Sequence, residues 1–174
     1  MSFYEVVHQR RSIRNFSDAP VPEDKLHRIL EAARLGPSAG NLQSFQIVVV
    51  RDKRVLSQLA EACHEQSQVA KAGLALVFCA VPRRCVERYR ERGVQLYATQ
   101  DTAIACSLAT LAATAEGLGS CWVGAFNDEA VGRVIKAPPD VRPQAVLPIG
   151  VVASQPRHAR ELLPANDMIV LEHF

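Results

Sequence analysis

Apolar residues recur at helical spacing along some stretches of this chain and run without interruption along others. Phe3, Val6 and Val7 share one face of a first helix, which Ser2 and Glu5 open as a capping box. Leu26, Ile29, Leu30 and Ala33 predict a second helix that begins near Pro22 and stops at Gly36-Pro37, the glycine serving as a left-handed cap. Asp52 is placed to cap a third, with Val55, Leu56, Leu59, Ala60 and Cys63 turned inward. Unbroken apolar runs at residues 47–50 and 74–81 predict buried strands, and residues 120–126 and 145–152 predict two more. Between the last two, Asn127 caps a short helix containing Val131, Val134 and Ile135.

Three segments depart from this alternation. Residues 83–93 are so highly charged that an exposed helix with a solvated basic face is expected. Residues 101–116 carry almost no charge and end at Gly117-Leu118-Gly119. A helix apolar on every side must be buried all round, either inside its own domain or against a second copy. The tail from Leu162 closes with Met168-Ile169-Val170-Leu171-Glu172-His173-Phe174, too apolar for a solvated terminus, and is expected to extend a sheet edge or wrap over a partner subunit.

Composition narrows the class. The chain has 174 residues, 48% of them apolar and 22% charged, which suits one folded domain over residues 1–174 with no disordered signature. A net charge of +2 is too small to imply a nucleic-acid partner. Cys63, Cys79, Cys85, Cys106 and Cys121 are odd in number and irregularly spaced, which argues against a disulfide framework or a zinc site and for buried thiols. No basic-then-apolar leader and no membrane-spanning run is visible, so a cytoplasmic protein is expected. Ser-His-Asp order, H-E-x-x-H, Walker and G-x-G-x-x-G patterns are all absent, and His8, His27, His64, His158 and His173 lack ligand spacing, so no metal site is expected.

Two polar stretches remain. Arg10-Arg11-Ser12-Ile13-Arg14 packs three guanidinium groups and a hydroxyl into five residues at the end of the first helix. One or two cations there would satisfy the helix dipole, whereas three with a serine offer forked donors suited to a phosphate; both readings stand on these residues alone. Residues 36–45 run through small and polar side chains into the first strand. Small residues let a ligand approach the backbone, and Ser38, Asn41 and Gln43 supply donors and acceptors for a flat heterocycle, although a breaker-rich surface loop has the same composition.

Together these stretches, RRSIRNF at residues 10–16 and GPSAGNLQSF at residues 36–45, resemble the nitroreductase family of FMN-dependent oxidoreductases. Similar positions continue to Arg160, so the resemblance covers most of the chain. It implies an α+β three-layer fold with a central mixed or antiparallel sheet flanked by helices. It also implies a homodimer built on the 101–116 helix, with exchanged C-terminal segments.

For the site, the resemblance implies that Arg10 and Ser12 hold the FMN phosphate with Arg157 or Arg160, and that Arg11 lies along the ribityl chain or supplies its backbone. Arg14 becomes the cation that tunes the flavin. Pro37, Ser38, Ala39 and Asn41 would reach a flavin bound mainly by the other subunit. Gly124 and Ala125 would lie near flavin N5 and O4, and Gln68, where some members carry a lysine, near the ring. No side chain need act as nucleophile, because the flavin carries the hydride. The implied activity is reduction of small acceptors, nitroaromatics or quinones, in two steps at one site with NADH or NADPH as donor. A flavin-storing or redox-sensing protein without turnover, and a sister reaction such as reductive dehalogenation or flavin breakdown, are the alternatives.

Overall fold

The computed structural model describes residues 1–156 and 161–172. Its centre is β2 (Leu74–Ala80), buried at every position. Successive side chains of a strand point to opposite faces, so an all-apolar strand requires cover on both. Leu74, Leu76 and Phe78 pack with Leu26, Ile29 and Ala33 of α2 (Glu23–Arg34) and with Ala105, Ala109 and Ala113 of α6 (Ala98–Ala115). Ala75, Val77 and Cys79 face Leu56 and Leu59 of α3 (Lys53–Ala62), Val69 of α4 (Ser67–Lys71) and Val131 of α7 (Asp128–Val134). The result is a three-layer α+β arrangement. Truncating a side chain as buried as Phe78 to alanine should cost about 3–5 kcal/mol.

Four strands form the sheet, in the order β1 (Phe45–Val50), β2, β4 (Arg142–Gly150), β3 (Gly119–Ser120), with every pair antiparallel. Helix ends follow the sequence signals. Ser2 and Glu5 form the capping box of α1 (Phe3–Gln9), Asp52 accepts from Arg54 and Val55 N–H, and Asn127 accepts from Ala130 N–H. α6 ends in a Schellman motif: Gly117 adopts φ +71°, its N–H donates to Thr114 O at 3.0 Å, and Leu118 N–H reaches Ala113 O at 2.8 Å.

Several expectations are corrected. Gly36 is not a left-handed cap; α2 closes at Leu35, and Gly36 is small because a Cβ there would come within 2.9 Å of Leu108 Cδ1 and 3.2 Å of Ile104 Cγ2 on α6. The predicted 120–126 strand is reduced to β3 and one later bridge, Val123 to Val146, which keeps the β3 register along β4; beyond Val123 the pairing stops. β4 is shifted to Arg142–Gly150, with Val152 bridged to Phe16 instead of continuing the strand. Of the two arrangements expected for the 101–116 helix, burial all round within its own chain is not found: Ser107 is exposed and Ile104, Leu108 and Leu111 are only partly covered.

The charged segment, α5 (Arg83–Arg92) followed by a π turn (Gly93–Tyr97), is not a simply solvated face. Arg83 pairs with Asp140, Arg92 Nε donates to Tyr97 Oη at 3.0 Å, and Arg84 and Arg88 reach across to backbone carbonyls described below. All five cysteines are free and buried, and burial pushes the Cys63 thiol up to about 11 and the Cys79 thiol up to about 12. Among the described residues, no helix is long and apolar enough to cross a membrane.

Candidate functional site

After α1, the chain runs extended beside β3. Ser12 forms a parallel bridge with Ser120, and Ile13 N–H donates to Ser120 O at 2.9 Å. Ile13 is 4% exposed and packs with Phe16, Ala72 and Val152. Alternation in an extended segment therefore separates the polar residues into two sets. Arg10 and Ser12 face a cavity of about 290 Å³ completed by Ser107, Thr110, Ser120 and Trp122. Arg11 faces the other way, bordering a cavity of about 380 Å³ with Ile13 and Thr114, and its guanidinium donates to His8 O at 2.8 Å and Arg10 O at 3.1 Å. The Arg11 side chain thus caps the carbonyl end of α1, apart from Arg10 and Ser12.

Arg14 is exposed, and its charge registers at Cys121. Burial raises that thiol's pKa, while Arg14 and then Arg10 draw it back down. Ser120 Oγ is buried on the wall of the Arg10 cavity and has no hydrogen-bond partner among the described residues. A buried hydroxyl without a partner costs about 1–3 kcal/mol, and a ligand oxygen entering the cavity would remove that cost. Ser107 and Thr110 donate to Ala103 O and Cys106 O of their own helix, both at 2.8 Å, so the guanidinium of Arg10 and the hydroxyls of Ser12 and Ser120 are the donors suited to a phosphate, and they fit the phosphorylated flavin that the sequence suggests.

Gln68, 8% exposed, donates from Nε2 to Gln66 Oε1 at 2.8 Å, and Gln66 Nε2 donates to Ala125 O at 3.0 Å. The structure therefore links two predicted site residues, Gln68 and Ala125, through one that sequence reasoning passed over, Gln66. Gly124 is exposed beside them, and a Cβ there would lie 3.4 Å from Trp122 Nε1.

The other predicted cluster sits at the opposite end of α6. Pro37, Ser38 and Ala39 border a cavity of about 530 Å³ with Tyr97, Gln100 and Ile104. Their loop, which includes a short 3-10 turn at Ala39–Asn41, takes left-handed φ at Gly40 (56°), Asn41 (59°) and Gln43 (48°). Asn41 is exposed and its Oδ1 accepts from Gln43 Nε2 at 3.2 Å, while Ser38 Oγ accepts from Gln43 N–H at 3.0 Å.

Asp101 of α6, 2% exposed, accepts from Ala39 N–H at 2.9 Å, from Ser44 N–H at 3.3 Å and from the Ser44 hydroxyl. Arg84 donates to Gln43 O at 2.6 Å and Phe45 O at 2.9 Å, and Arg88 to Gly40 O at 3.3 Å. Asp101, Arg84 and Arg88 were not among the predicted site residues. Within one chain, the Arg10 and Ser38 cavities are separate. Arg157 and Arg160 lie outside the described residues.

Comparison with known proteins decides the family. The family model described as "Nitroreductase family" matches residues 7–151. The chain belongs to the nitroreductase family. The match takes in every predicted site residue except Arg157 and Arg160. Among nitroreductase-family relatives, the chain is 32% identical to the oxygen-insensitive NADPH nitroreductase of Salmonella typhimurium, covering 97% of this chain and 72% of that protein. It is 31% identical to an FMN reductase [NAD(P)H] of Bacillus subtilis, over 80% of this chain and 61% of the relative. The solved structure of NfrA2 from B. megaterium superposes with a TM-score of 0.91 at 26% identity, covering all of this chain and 76% of that one. The nitroreductase fold expected from the sequence is thereby present.

Proposed function

We propose that this nitroreductase-family enzyme, an FMN-dependent NAD(P)H oxidoreductase, reduces small acceptors such as nitroaromatics or quinones in two half-reactions at one site. The observation that carries the assignment of the site is the Arg10 cavity, with its guanidinium, its hydroxyls and the unpartnered Ser120 Oγ. FMN, when bound, supplies a ring that takes up and hands on a hydride at N5. Arg10 and Ser12 hold the phosphate, with Arg157 or Arg160 as a second clamp. Arg14 places a fixed positive charge where negative charge develops on the ring edge, which favours the reduced state. Gly124 leaves the backbone open to close approach, and Gln66 and Gln68 hold the turn at Ala125 in place.

The second wall of the site comes from another copy of the chain. Half of α6 lacks full cover in one chain, and the Ser38 cavity opens along the same helix as the Arg10 cavity. Leu162, Leu163, Met168, Ile169, Val170 and Leu171 are all exposed, two short apolar stretches that a partner subunit would cover. A homodimer through α6 and the tail would bring Ser38, Ala39 and Asn41 of one copy to the flavin held by the other.

The testing experiment is a visible spectrum of the purified protein, followed anaerobically by NADH and then NADPH. A yellow protein whose flavin band bleaches with either donor, and recovers on addition of a quinone, is the expected result. A yellow protein that neither donor bleaches would favour flavin storage or sensing, and a colourless protein that takes up no added FMN would overturn the reading.

A further inference from the structure

The 36–45 loop is held from outside itself. Its amide hydrogens at Ala39 and Ser44 go to one buried carboxylate, Asp101, and its carbonyls at Gly40, Gln43 and Phe45 go to Arg88 and Arg84. These hooks are side chains from α5 and α6, two helices joined by the π turn. Between them the backbone adopts left-handed φ at Asn41 and Gln43, a conformation that L-residues avoid and that persists only when the surroundings over-determine it.

Asp101 meets a demand that few side chains could. An ionised carboxylate offers two acceptor oxygens and no donor, so it can serve two backbone amides five residues apart and a hydroxyl as well. Asparagine would keep one acceptor and turn an NH2 group toward the remaining donors. Among the described residues no ion pair reaches Asp101, so the loop's own donors compensate its burial.

We infer that Asp101 is a positioning residue: it fixes the loop so that Ser38 and Ala39 face their cavity in the geometry the flavin requires, with Arg84 and Arg88 holding the opposite polarity of the same backbone. This rests on the reading that the loop meets FMN.

The test uses the full-length protein and three variants, Asp101→Asn, Ser44→Ala and Val131→Ala. Val131 lies in the opposite helical layer and provides a destabilised control. FMN dissociation constants are measured at a temperature where circular dichroism shows each variant folded, alongside hydrogen exchange of the segment 37–44 and of β2. Asp101→Asn should raise the FMN dissociation constant at least tenfold and speed exchange in 37–44 at least tenfold, with β2 unchanged. Ser44→Ala, which leaves the carboxylate on both amides, should shift the constant less than threefold. Val131→Ala should lower the melting temperature yet leave FMN affinity within twofold.

An Asp101→Asn protein that binds FMN within twofold of wild type, or one whose loss tracks that of Val131→Ala, would overturn the inference. If Asp101→Asn does not fold, the Arg84→Gln/Arg88→Gln variant decides: a several-fold weaker FMN affinity supports it and an unchanged one overturns it. Wild-type protein that takes up no FMN would instead sink the cofactor reading, and the exchange measurement would still report whether Asp101 holds the loop.

Discussion

The 10–16 segment and the 36–45 loop both border α6, yet opposite means hold them. The first is fixed by its backbone: Ile13 N–H on Ser120 O, Ser17 N–H on Val151 O at 2.9 Å, and Ala153 N–H on Asn15 O at 3.1 Å, with Ile13 and Phe16 buried beneath. The second has one backbone anchor at its end, Val81 N–H on Ser44 O at 2.8 Å, and its course before that point rests on the side chains of Asp101, Arg84 and Arg88. A segment anchored through its backbone can change a polar side chain and keep its course. A loop anchored by distant charges is loosened when one of them is removed.

Substitutions can sharpen or break that contrast. The largest effect should follow Ile13→Ala, which removes the buried anchor of the first segment and should cost about 2–5 kcal/mol in urea denaturation. A value near zero would mean that the backbone bridges alone suffice. Next, Arg10→Ala should leave stability nearly unchanged while weakening FMN binding by about 1.5–3 kcal/mol in a calorimetric titration. Unchanged affinity would remove Arg10 from the phosphate site.

Alkaline pH acts through the buried thiols. The Cys63 and Cys79 thiols rise from 9.0 to about 11 and about 12 in the folded chain, so the unfolded chain releases these protons first. Their contribution is complete below pH 9 and declines as pH rises toward 11–12, by up to about 1.4 kcal/mol per pH unit for each thiol. Cys121, beside the first segment, is raised by burial and drawn back by Arg14 and Arg10, so Arg14→Ala should steepen that decline. Denaturation series at pH 8, 9.5 and 10.5 would show an identical slope if the arginine were too distant. The smallest effect is that of Arg84→Ala, about 1 kcal/mol of stability, together with faster proteolysis within residues 38–44. Resistance equal to wild type would mean that the loop does not depend on its hooks.

The sequence made the layers legible because they obey local rules. β2 is a continuous apolar run, Asp52 and Asn127 stand at helix starts, and the arginine cluster is dense enough to stand out. What could not be read is long-range. Arg84 and Phe45 are 39 residues apart and Asp101 and Ala39 are 62 apart, so nothing beside them in the chain marks the pairing. A lone acidic residue early in an apolar helix also looks the same whether it faces solvent or a loop. Gly36 illustrates a different limit: after a helix, glycine suggests a left-handed cap, but here its smallness serves the approach of α6. Arg11 stands in sequence among Arg10, Ser12 and Arg14, and the pairing with β3 is what shows that the two-residue alternation of an extended segment turns its side chain away from Arg10 and Ser12.

The chain contains one tryptophan, Trp122, and it forms part of the Arg10 cavity wall. Indole emission overlaps the near-ultraviolet absorption of a flavin, so an occupied cavity should quench it through energy transfer. The protein therefore carries its own optical gauge: one emission band, from one known position, reports how many sites are filled, without a label.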